Sequence, residues 1–471
     1  MQLDSVPFLR SDSTWKQRPF GSVLFRAGHR HKVYLNAGAT RMVALIDGEH
    51  TAAAIALSLA SQHRLPVERC QQDVATLFGR LAHGGWLTDN PGLGKPADSG
   101  EVRPSLDFIS LAVTHRCNLR CRYCYIELTE RADGELTTSQ WLETIRQLQP
   151  FKLMGVILTG GEPLLREDFW TVVEAINAAH MEVILCTNGL LIDSAFVERA
   201  KSAKFASIQV GMDGASAVQH EQMRGQGTFP GAWENVLRLH EAGLPVELLC
   251  TVARPTFESY IDVVKLARQH GLAVSLNEYL PLGPSRAHRG ALELTVEQLF
   301  QMRSNVSTLS YAGVLHKEVR EGETFKRSTG APEQEQPAQW ERVTSCLGRD
   351  SGAHIQPNGD VLICQMLNWP DLVGGNVTRQ PLREIWERSP VFETLRATGV
   401  DQYAACRACS NRYLCGGTCR AITIADSGCF TGLPNSARCL WDQLYYARLS
   451  RVLYDTTEPF QAVLEREKLL C

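Results

Sequence analysis

Short apolar runs recur along the middle of the chain, and helical periodicity fills the stretches between them. These runs lie at residues 106–113, 156–159, 183–186, 206–210, 246–250 and 273–276. Short apolar runs predict buried strands, and their alternation with helices predicts a parallel sheet. We therefore expect an α/β fold over residues 105–325, a partial (β/α)6 barrel whose six strands leave it open on one side.

The first 91 residues follow a different pattern. Residues 22–26 and 32–36 predict two short strands, and the periodicity after them predicts three helices, at about 38–46, 51–63 and 66–87. Thr51 is a suitable N-cap after the break at Asp47 and Gly48. Small strands followed by three helices predict a winged-helix-like domain over residues 1–91.

Two polar segments divide the rest of the chain. Residues 92–104 continue a stretch rich in proline and glycine and predict a linker, and residues 326–342 predict a second one. Residues 343–471 then form a C-terminal domain. Within it, residues 355–363 predict a β-hairpin, because Asn358 and Gly359 favour a tight turn.

Bulk composition narrows the class of protein. The chain has 471 residues, a net charge of −3 and fifteen cysteines. Its charge does not favour nucleic acid or an anionic membrane as a partner, and residues 1–90 hold only ten Lys and Arg against seven Asp and Glu. No apolar run approaches the roughly 20 residues of a membrane span, and no signal peptide is visible. We expect a cytoplasmic protein whose thiols stay reduced and bind metal.

Three of the cysteines follow the first barrel strand, as Cys117-x3-Cys121-x2-Cys124. Barrel enzymes carry their functional groups on loops at this end of the strands. Three thiolates without a nearby fourth ligand leave one coordination position open on a metal centre. Packing of these cysteines in a core is disfavoured, because Arg120 and Arg122 lie between them.

This spacing, with Tyr123 before the last cysteine, resembles the signature of the radical S-adenosylmethionine (SAM) superfamily. The resemblance implies that Cys117, Cys121 and Cys124 hold a [4Fe-4S] cluster whose open iron chelates SAM. An electron from the cluster would then cleave SAM to methionine and a 5′-deoxyadenosyl radical, so that the cofactor carries the chemistry. The resemblance also implies that Tyr123 lies near the adenine.

Further positions resemble SAM-binding motifs of the same superfamily. Gly160, Gly161 and Glu162 match its Gly-Gly-Glu motif, which implies that they hold the amino group of SAM. Asn188 lies in a matching turn after the third strand. Arg224 lies in a stretch similar to His-Asp-x-x-Arg-Gly-x-Gly, which implies a bidentate pair with the SAM carboxylate.

The fourth and sixth strands add weaker assignments. Gly211 replaces the serine usual in the family, so one hydroxyl contact to SAM is expected to be missing. Leu276, on the sixth strand, is expected to flank the adenine. Glu278 and Tyr279 follow that strand at the barrel mouth, and either could be an acid/base or a satisfied polar residue.

Three further cysteines are interpreted differently. Cys70, Cys186 and Cys250 lie within apolar or helical runs and are best explained as small buried side chains. Cys186 and Cys250 end strands, so a hydrogen-donating role in an epimerisation is the alternative.

The C-terminal domain has its own ordered set of cysteines. These are Cys346, Cys364, Cys406, Cys409, Cys415, Cys419 and Cys439. Their order resembles the SPASM extension of radical SAM enzymes, although a pair of zinc ribbons is an alternative.

The SPASM resemblance implies two auxiliary [4Fe-4S] clusters, and so three clusters in the whole chain. One auxiliary cluster would be held by Cys406, Cys409, Cys415 and Cys439. The other would have three ligands, Cys346, Cys364 and Cys419, with its fourth position taken by Cys429 or left open.

Residues 33–36, 45–51 and 84–87 resemble the recognition element of enzymes that mature ribosomally made peptides (RiPPs). In such elements a leader peptide adds as a strand to a sheet edge. The whole chain thus resembles a radical SAM/SPASM peptide maturase. The resemblance implies a precursor peptide with a leader, an electron donor of flavodoxin or ferredoxin type, and an intramolecular carbon-carbon, thioether or ether crosslink.

Several other activities stay open at this point. An epimerase or a backbone-excising enzyme would act on the same kind of precursor. A sulfatase-type maturase or a small-molecule cofactor enzyme would need no leader. A peptide-binding iron-sulfur or zinc scaffold would not catalyse a reaction at all.

Overall fold

A computed structural model describes most of the chain. The described residues are 2–11, 13–18, 21–26, 32–95, 106–131, 133–299, 301–302, 351–409, 412–432 and 439–440. Cys346, Cys471 and the predicted linker at 326–342 lie outside these ranges, as does most of the predicted linker at 92–104.

The N-terminal residues form small antiparallel sheets and three helices. The strands are β1 (Phe8–Arg10), β2 (Ser13–Arg18), β3 (Gly21–Arg26), β4 (Lys32–Asn36), β5 (Leu87–Thr88) and β6 (Gly94–Lys95). The helices are α1 (Ala37–Ala44), α2 (Ala52–His63) and α3 (Val67–His83). One sheet has the order β2-β3-β4 and the other β5-β1-β6.

This arrangement confirms the two predicted strands and three predicted helices, and it adds strands that the pattern did not show. Thr51 caps α2, because its hydroxyl accepts a hydrogen bond from the Ala54 amide at 3.2 Å. Helix α3 ends at His83, earlier than predicted, where Gly85 has a positive φ of 71°. A separate core fills this unit, with Phe78, Val74 and Leu24 fully buried.

The six predicted barrel strands are all present and parallel. They are β7 (Phe108–Ala112), β8 (Gly155–Thr159), β9 (Val183–Thr187), β10 (Phe205–Gly211), β11 (Val246–Val252) and β12 (Ala273–Glu278). Each strand lies beside the next one in the chain, so the order from one edge of the barrel to the other is β7-β8-β9-β10-β11-β12. This confirms the partial-barrel fold.

Helices connect these strands and cover one face of the sheet. They are α4 (Thr138–Leu148), α5 (Phe169–Ala178), α6 (Ser194–Ser202), α7 (Ala217–Arg224), α8 (Thr228–Glu241), α9 (Tyr260–Gln269) and α10 (Arg289–Leu292). Alternate residues of the strands pack against them: on β11, Val246, Leu248, Cys250 and Val252 are buried, while the residues between are half-buried. The half-buried residues belong to the inner face of the barrel.

The C-terminal part continues the same sheet. Its strands are β13 (Gly352–Ile355), β14 (Asp360–Leu362) and β15 (Val373–Asn376). Its helices are Leu382–Arg388, Pro390–Ala397, Arg412–Cys415 and Arg420–Ser427. The predicted hairpin is confirmed as β13 and β14, with Gly359 at a φ of 89° in the turn. Strand β13 pairs in parallel with β7 and so extends the barrel sheet.

Among the helices that the structure describes, none combines the length and apolar character that a bilayer crossing needs.

Candidate functional site

The three-cysteine loop follows β7, at the carboxyl end of the sheet. Cys117, Cys121 and Cys124 are all partly buried. Burial raises the pKa of the Cys121 thiol to about 11, and the neighbouring Cys124 and Cys117 add to the rise. Burial also raises the pKa of the Cys117 thiol, and the Leu119 amide, which donates to Cys117 Sγ at 3.4 Å, opposes that rise.

Asp213 fastens this loop to the barrel. It is fully buried, and its Oδ2 accepts a hydrogen bond from the Tyr123 hydroxyl at 2.7 Å and from Arg224 Nε at 2.6 Å. Its Oδ1 accepts from the Thr251 amide at 2.8 Å. Tyr123 lies between two of the cysteines, so this carboxylate joins the loop to β11 and to the end of α7.

Arg224 therefore has a partner within the chain. Beyond its ion pair with Asp213, the guanidinium lies 5.6 Å from the centre of the Tyr123 ring. A side chain at Gly211 would meet Arg224 Nη2 at 2.2 Å, so the guanidinium fills the space that the usual serine would need. The glycine at position 211 is therefore explained by packing, because a serine there would overlap with Arg224. A bidentate pair between Arg224 and the SAM carboxylate stays a prediction.

The two glycines after β8 allow a close approach of two backbone segments. A Cβ at Gly160 would lie 2.2 Å from the Thr114 carbonyl oxygen, and one at Gly161 would lie 2.2 Å from that of Arg116. The Gly161 amide donates to the Thr114 carbonyl at 2.8 Å. These glycines pack directly against the residues that lead into Cys117, so they help to set the position of the loop.

Glu162 joins two neighbouring loops from a fully buried position. Its carboxylate accepts hydrogen bonds from the Thr187 hydroxyl at 2.9 Å, the Asn188 amide at 2.8 Å and the Leu164 amide at 3.1 Å. Asn188 in turn donates through Nδ2 to Asn118 Oδ1 in the cysteine loop at 2.7 Å. Burial raises the pKa of Glu162 to about 7, against the opposing effect of these donors.

The residues assigned to the sixth strand lie at the end of the same sheet. Leu276 is partly buried on β12, where it pairs with Cys250, and Glu278 ends the strand opposite Val252. Tyr279 is buried and its hydroxyl donates to the Ser285 carbonyl at 2.7 Å. This hydrogen bond favours the interpretation of Tyr279 as a satisfied polar residue over that of an acid or base.

A polar row crosses the inner face of the barrel. Cys186 donates through Sγ to Gln209 Oε1 at 3.3 Å, and Gln209 donates through Nε2 to Glu247 at 3.1 Å. Ser207 also donates to Glu247, at 3.0 Å. The interpretation of Cys186 as a simple apolar side chain was wrong, whereas Cys250 is fully buried as expected.

Six cysteines of the C-terminal set lie within the described residues. Cys364 follows β14, Cys406 is buried, and Cys409, Cys415, Cys419 and Cys439 are partly buried. Cys429 is exposed, and its sulfur lies 3.4 Å from the Thr431 hydroxyl. Cys346 lies outside the described residues, so the ligand sets inferred for the auxiliary clusters stay predictions.

The donor set suits iron-sulfur clusters. Within the part of the chain that the structure describes, no three His, Cys, Asp or Glu side chains converge on a position for a single metal ion. Each thiolate of a [4Fe-4S] cluster binds a different iron, so its ligands need not converge. The cysteine loop, with its neighbouring thiols and buried supports, fits such a group. The structure did reveal two supporting residues that sequence reasoning missed, Asp213 and Asn118. The sequence did contain a signal for Asp213. It is an acidic residue in the same turn as Gly211, and its charge is opposite to that of Arg224.

Comparison with known families agrees with this site. The profile of the Radical SAM superfamily matches residues 111–255, and that of the SPASM iron-sulfur cluster-binding domain matches residues 346–410. The profile of the coenzyme PQQ synthesis protein D (PqqD) matches residues 21–87. The chain is a radical SAM enzyme with a SPASM domain and an N-terminal PqqD-type domain. Enzymes of this class use SAM with a [4Fe-4S] cluster and carry auxiliary iron-sulfur centres in the SPASM domain.

Curated relatives share the greater part of the chain. An AdoMet-dependent heme synthase from Methanosarcina barkeri is 29% identical over 339 residues, which cover 68% of this chain and 93% of the relative. The mycofactocin maturase MftC from Mycolicibacterium smegmatis is 27% identical over 326 residues, covering 68% of this chain and 79% of the relative.

SuiB from Streptococcus suis has the same fold. Its structure bound to SAM superposes with a TM-score of 0.63 at 14% identity and covers 91% of this chain and 99% of SuiB. Its structure bound to the precursor peptide SuiA gives a TM-score of 0.60 and covers 92% of this chain and 99% of SuiB, again at 14% identity.

Proposed function

We propose that this enzyme modifies a ribosomally made precursor peptide and forms an intramolecular crosslink in it. The observation that carries the proposal is the presence of a PqqD-type domain in the same chain as a radical SAM barrel and a SPASM domain. The relation to the maturase MftC supports it, and so does the fold shared with SuiB, which has been solved with its precursor peptide.

The N-terminal domain is inferred to bind the leader of that peptide. In its sheet β3 is central, so β2 and β4 each have one edge that pairs with no other strand of the described residues. An extended peptide can add to such an edge through main-chain hydrogen bonds. Binding the leader there raises the local concentration of the attached core peptide at the barrel.

The barrel residues are inferred to hold the cofactors. Cys117, Cys121 and Cys124 would ligate a [4Fe-4S] cluster, which when bound to SAM supplies a 5′-deoxyadenosyl radical that abstracts hydrogen from the peptide. The chain's own part is positioning. The residues inferred to contact SAM are Tyr123, Gly160, Gly161, Glu162, Asn188, Arg224 and Leu276.

A crosslink removes two hydrogen atoms from the peptide. The deoxyadenosyl radical takes the first as a hydrogen atom, and the second leaves as a proton and an electron. Two auxiliary clusters held by the SPASM cysteines would accept that electron, and a donor of flavodoxin or ferredoxin type would supply the first one. Epimerisation is the alternative on the same substrate, and it leaves the peptide mass unchanged.

The test is co-expression with the peptide encoded beside the gene, followed by mass spectrometry. A loss of two hydrogens for each link supports a crosslink, and an unchanged mass with altered stereochemistry supports epimerisation. If the enzyme cleaves SAM but the peptide neither binds nor changes in mass or stereochemistry, a small-molecule substrate is favoured. The heme synthase relative makes that the second candidate.

The site assignment has its own test. Replacement of Cys117, Cys121 and Cys124 together by Ala should abolish formation of 5′-deoxyadenosine, because no cluster can bind, and should leave leader-peptide affinity unchanged. Chromatography measures the first and fluorescence anisotropy the second. Cys250→Ala, in the same barrel but fully buried on β11, is the matched control and should retain cleavage. Retained cleavage in the triple variant would show that the assignment is wrong.

A further inference from the structure

A cavity of about 310 Å³ opens at the carboxyl ends of β7 and β8. Ala112, Thr159 and Gly160 line it from the barrel, and His354 and Gln356 line it from the SPASM domain. Its size lies at the lower end of the range of ligand pockets, roughly 300–1,000 Å³. The cavity therefore has room for a side chain of a peptide next to the glycines that support the cysteine loop.

His354 is the unusual residue of this cavity. It lies on β13, where it pairs with Ser110 of β7, and only 4% of it is exposed. Its Nδ1 is enclosed and forms no hydrogen bond with any described residue. A buried polar atom without a partner costs roughly 1–3 kcal/mol, so a group that hydrogen-bonds to this nitrogen would remove that cost.

Burial favours the neutral form of the His354 ring. Burial lowers its pKa to about 3, with a further contribution from the nearby His115. A neutral imidazole carries one donor and one acceptor nitrogen, so it can pair with a hydroxyl, an amide or a thiol. It offers no charge to balance a carboxylate or an ammonium group.

The other walls are consistent with an uncharged guest. Tyr125, Leu282, Met366 and Trp369 supply apolar surface. Uncharged polar groups come from the amides of Gln356, Gln365 and Asn368, and a second imidazole comes from His115. The acidic and basic residues of the lining, Glu127 and Arg286, are both exposed to solvent. A charged end placed beside His354 would lose its hydration without a counter-charge, which is unfavourable.

We propose that His354 is a substrate-binding residue that hydrogen-bonds the polar end of an uncharged side chain of the core peptide seated in this cavity. The inference rests on the proposed function, since it needs a peptide substrate. It also gives the SPASM domain a part in substrate selection, because β13 lies within the matched SPASM region.

The first experiment compares the wild type with His354→Leu on the peptide encoded beside the gene. The variant should lower kcat/KM roughly tenfold, mainly through KM, because one hydrogen bond to the substrate is lost. His240→Leu, exposed at the end of α8, is the control and should match the wild type.

A second comparison removes the risk that the apolar variant does not fold. His354→Asn places a polar atom near the position of Nδ1, whereas His354→Gln places it near Nε2. The Asn variant should keep kcat/KM within about threefold and the Gln variant should lose roughly tenfold. Equal values for Asn and Gln would overturn the role assigned to Nδ1.

A peptide scan completes the test. Replacing each uncharged polar residue of the core peptide by an apolar one of similar size should find one position that lowers kcat/KM in the wild type but not in His354→Leu. Unchanged kcat/KM in His354→Leu, with the wild type converting the peptide, would overturn this inference alone. A wild type that cleaves SAM but never converts the peptide would overturn the proposed function and this inference with it.

Discussion

At the scale of single residues, Asp213 holds the cysteine loop in place. It accepts hydrogen bonds from Tyr123, Arg224 and Thr251 while fully buried. Asp213→Asn should lower the free energy of unfolding by about 3 kcal/mol, because Arg224 would stay charged and buried without a counter-charge. Urea denaturation under anaerobic conditions measures the loss.

Asp262→Asn is the control for that prediction. Asp262 accepts from Gln219 at 3.0 Å and pairs with Lys265 at 3.2 Å, but its side chain is 41% exposed. Exposed pairs of this kind contribute less than about 1 kcal/mol. Losses of equal size in the two variants would show that burial of the Asp213 pair is not what matters.

At the scale of elements, Glu162 links the loops after β8 and β9. Its pKa in the folded chain, about 7, lies above its ordinary value of 4.5. Between those values the folded state binds the proton more tightly, so the contribution of Glu162 to stability falls as pH rises. Glu162→Gln cannot ionise. The stability of the wild type minus that of the variant should therefore decrease from about pH 5 to about pH 7, as measured by thermal unfolding.

Glu143→Gln tests the sign of that dependence. Glu143 is exposed on α4, and its hydrogen bond to Arg146 lowers its pKa. Its contribution to stability is therefore present at neutral pH and is lost as pH falls through the lowered pKa. The stability of the wild type minus that of Glu143→Gln should therefore stay nearly constant from about pH 5 to about pH 7 and should fall as the pH drops below 4.5, so the two variants have slopes of opposite sign in their own pH ranges. The same slope in both would contradict the assigned burial effect.

At the scale of the whole molecule, the number of clusters can be counted. Three [4Fe-4S] clusters predict about twelve iron atoms for each chain after anaerobic reconstitution. Replacing Cys406 and Cys409 by Ala should leave about eight, because one auxiliary cluster is lost. Elemental analysis for iron and zinc, with acid-labile sulfide, measures both. About four irons, or zinc in their place, would contradict the three-cluster proposal.

The same measurement on Cys429→Ala resolves the open ligand. Cys429 is exposed in the described residues, and its contacts with Thr431 lower its pKa. Unchanged iron content would show that Cys429 is not needed to hold the second auxiliary cluster. A loss of iron would identify Cys429 as its fourth ligand.

The sequence by itself determined the local elements and the cysteine loop. Strand positions follow from apolar runs and side-chain alternation, the α2 cap from Thr51, and the candidate cluster ligands from cysteine spacing, all of which depend on neighbours in the chain. The tertiary structure decided which distant groups meet. Asp213 meets Tyr123, and β13 pairs with β7, which places His354 in the lining of the same cavity as Gly160. Both depend on packing between segments that are far apart in the chain.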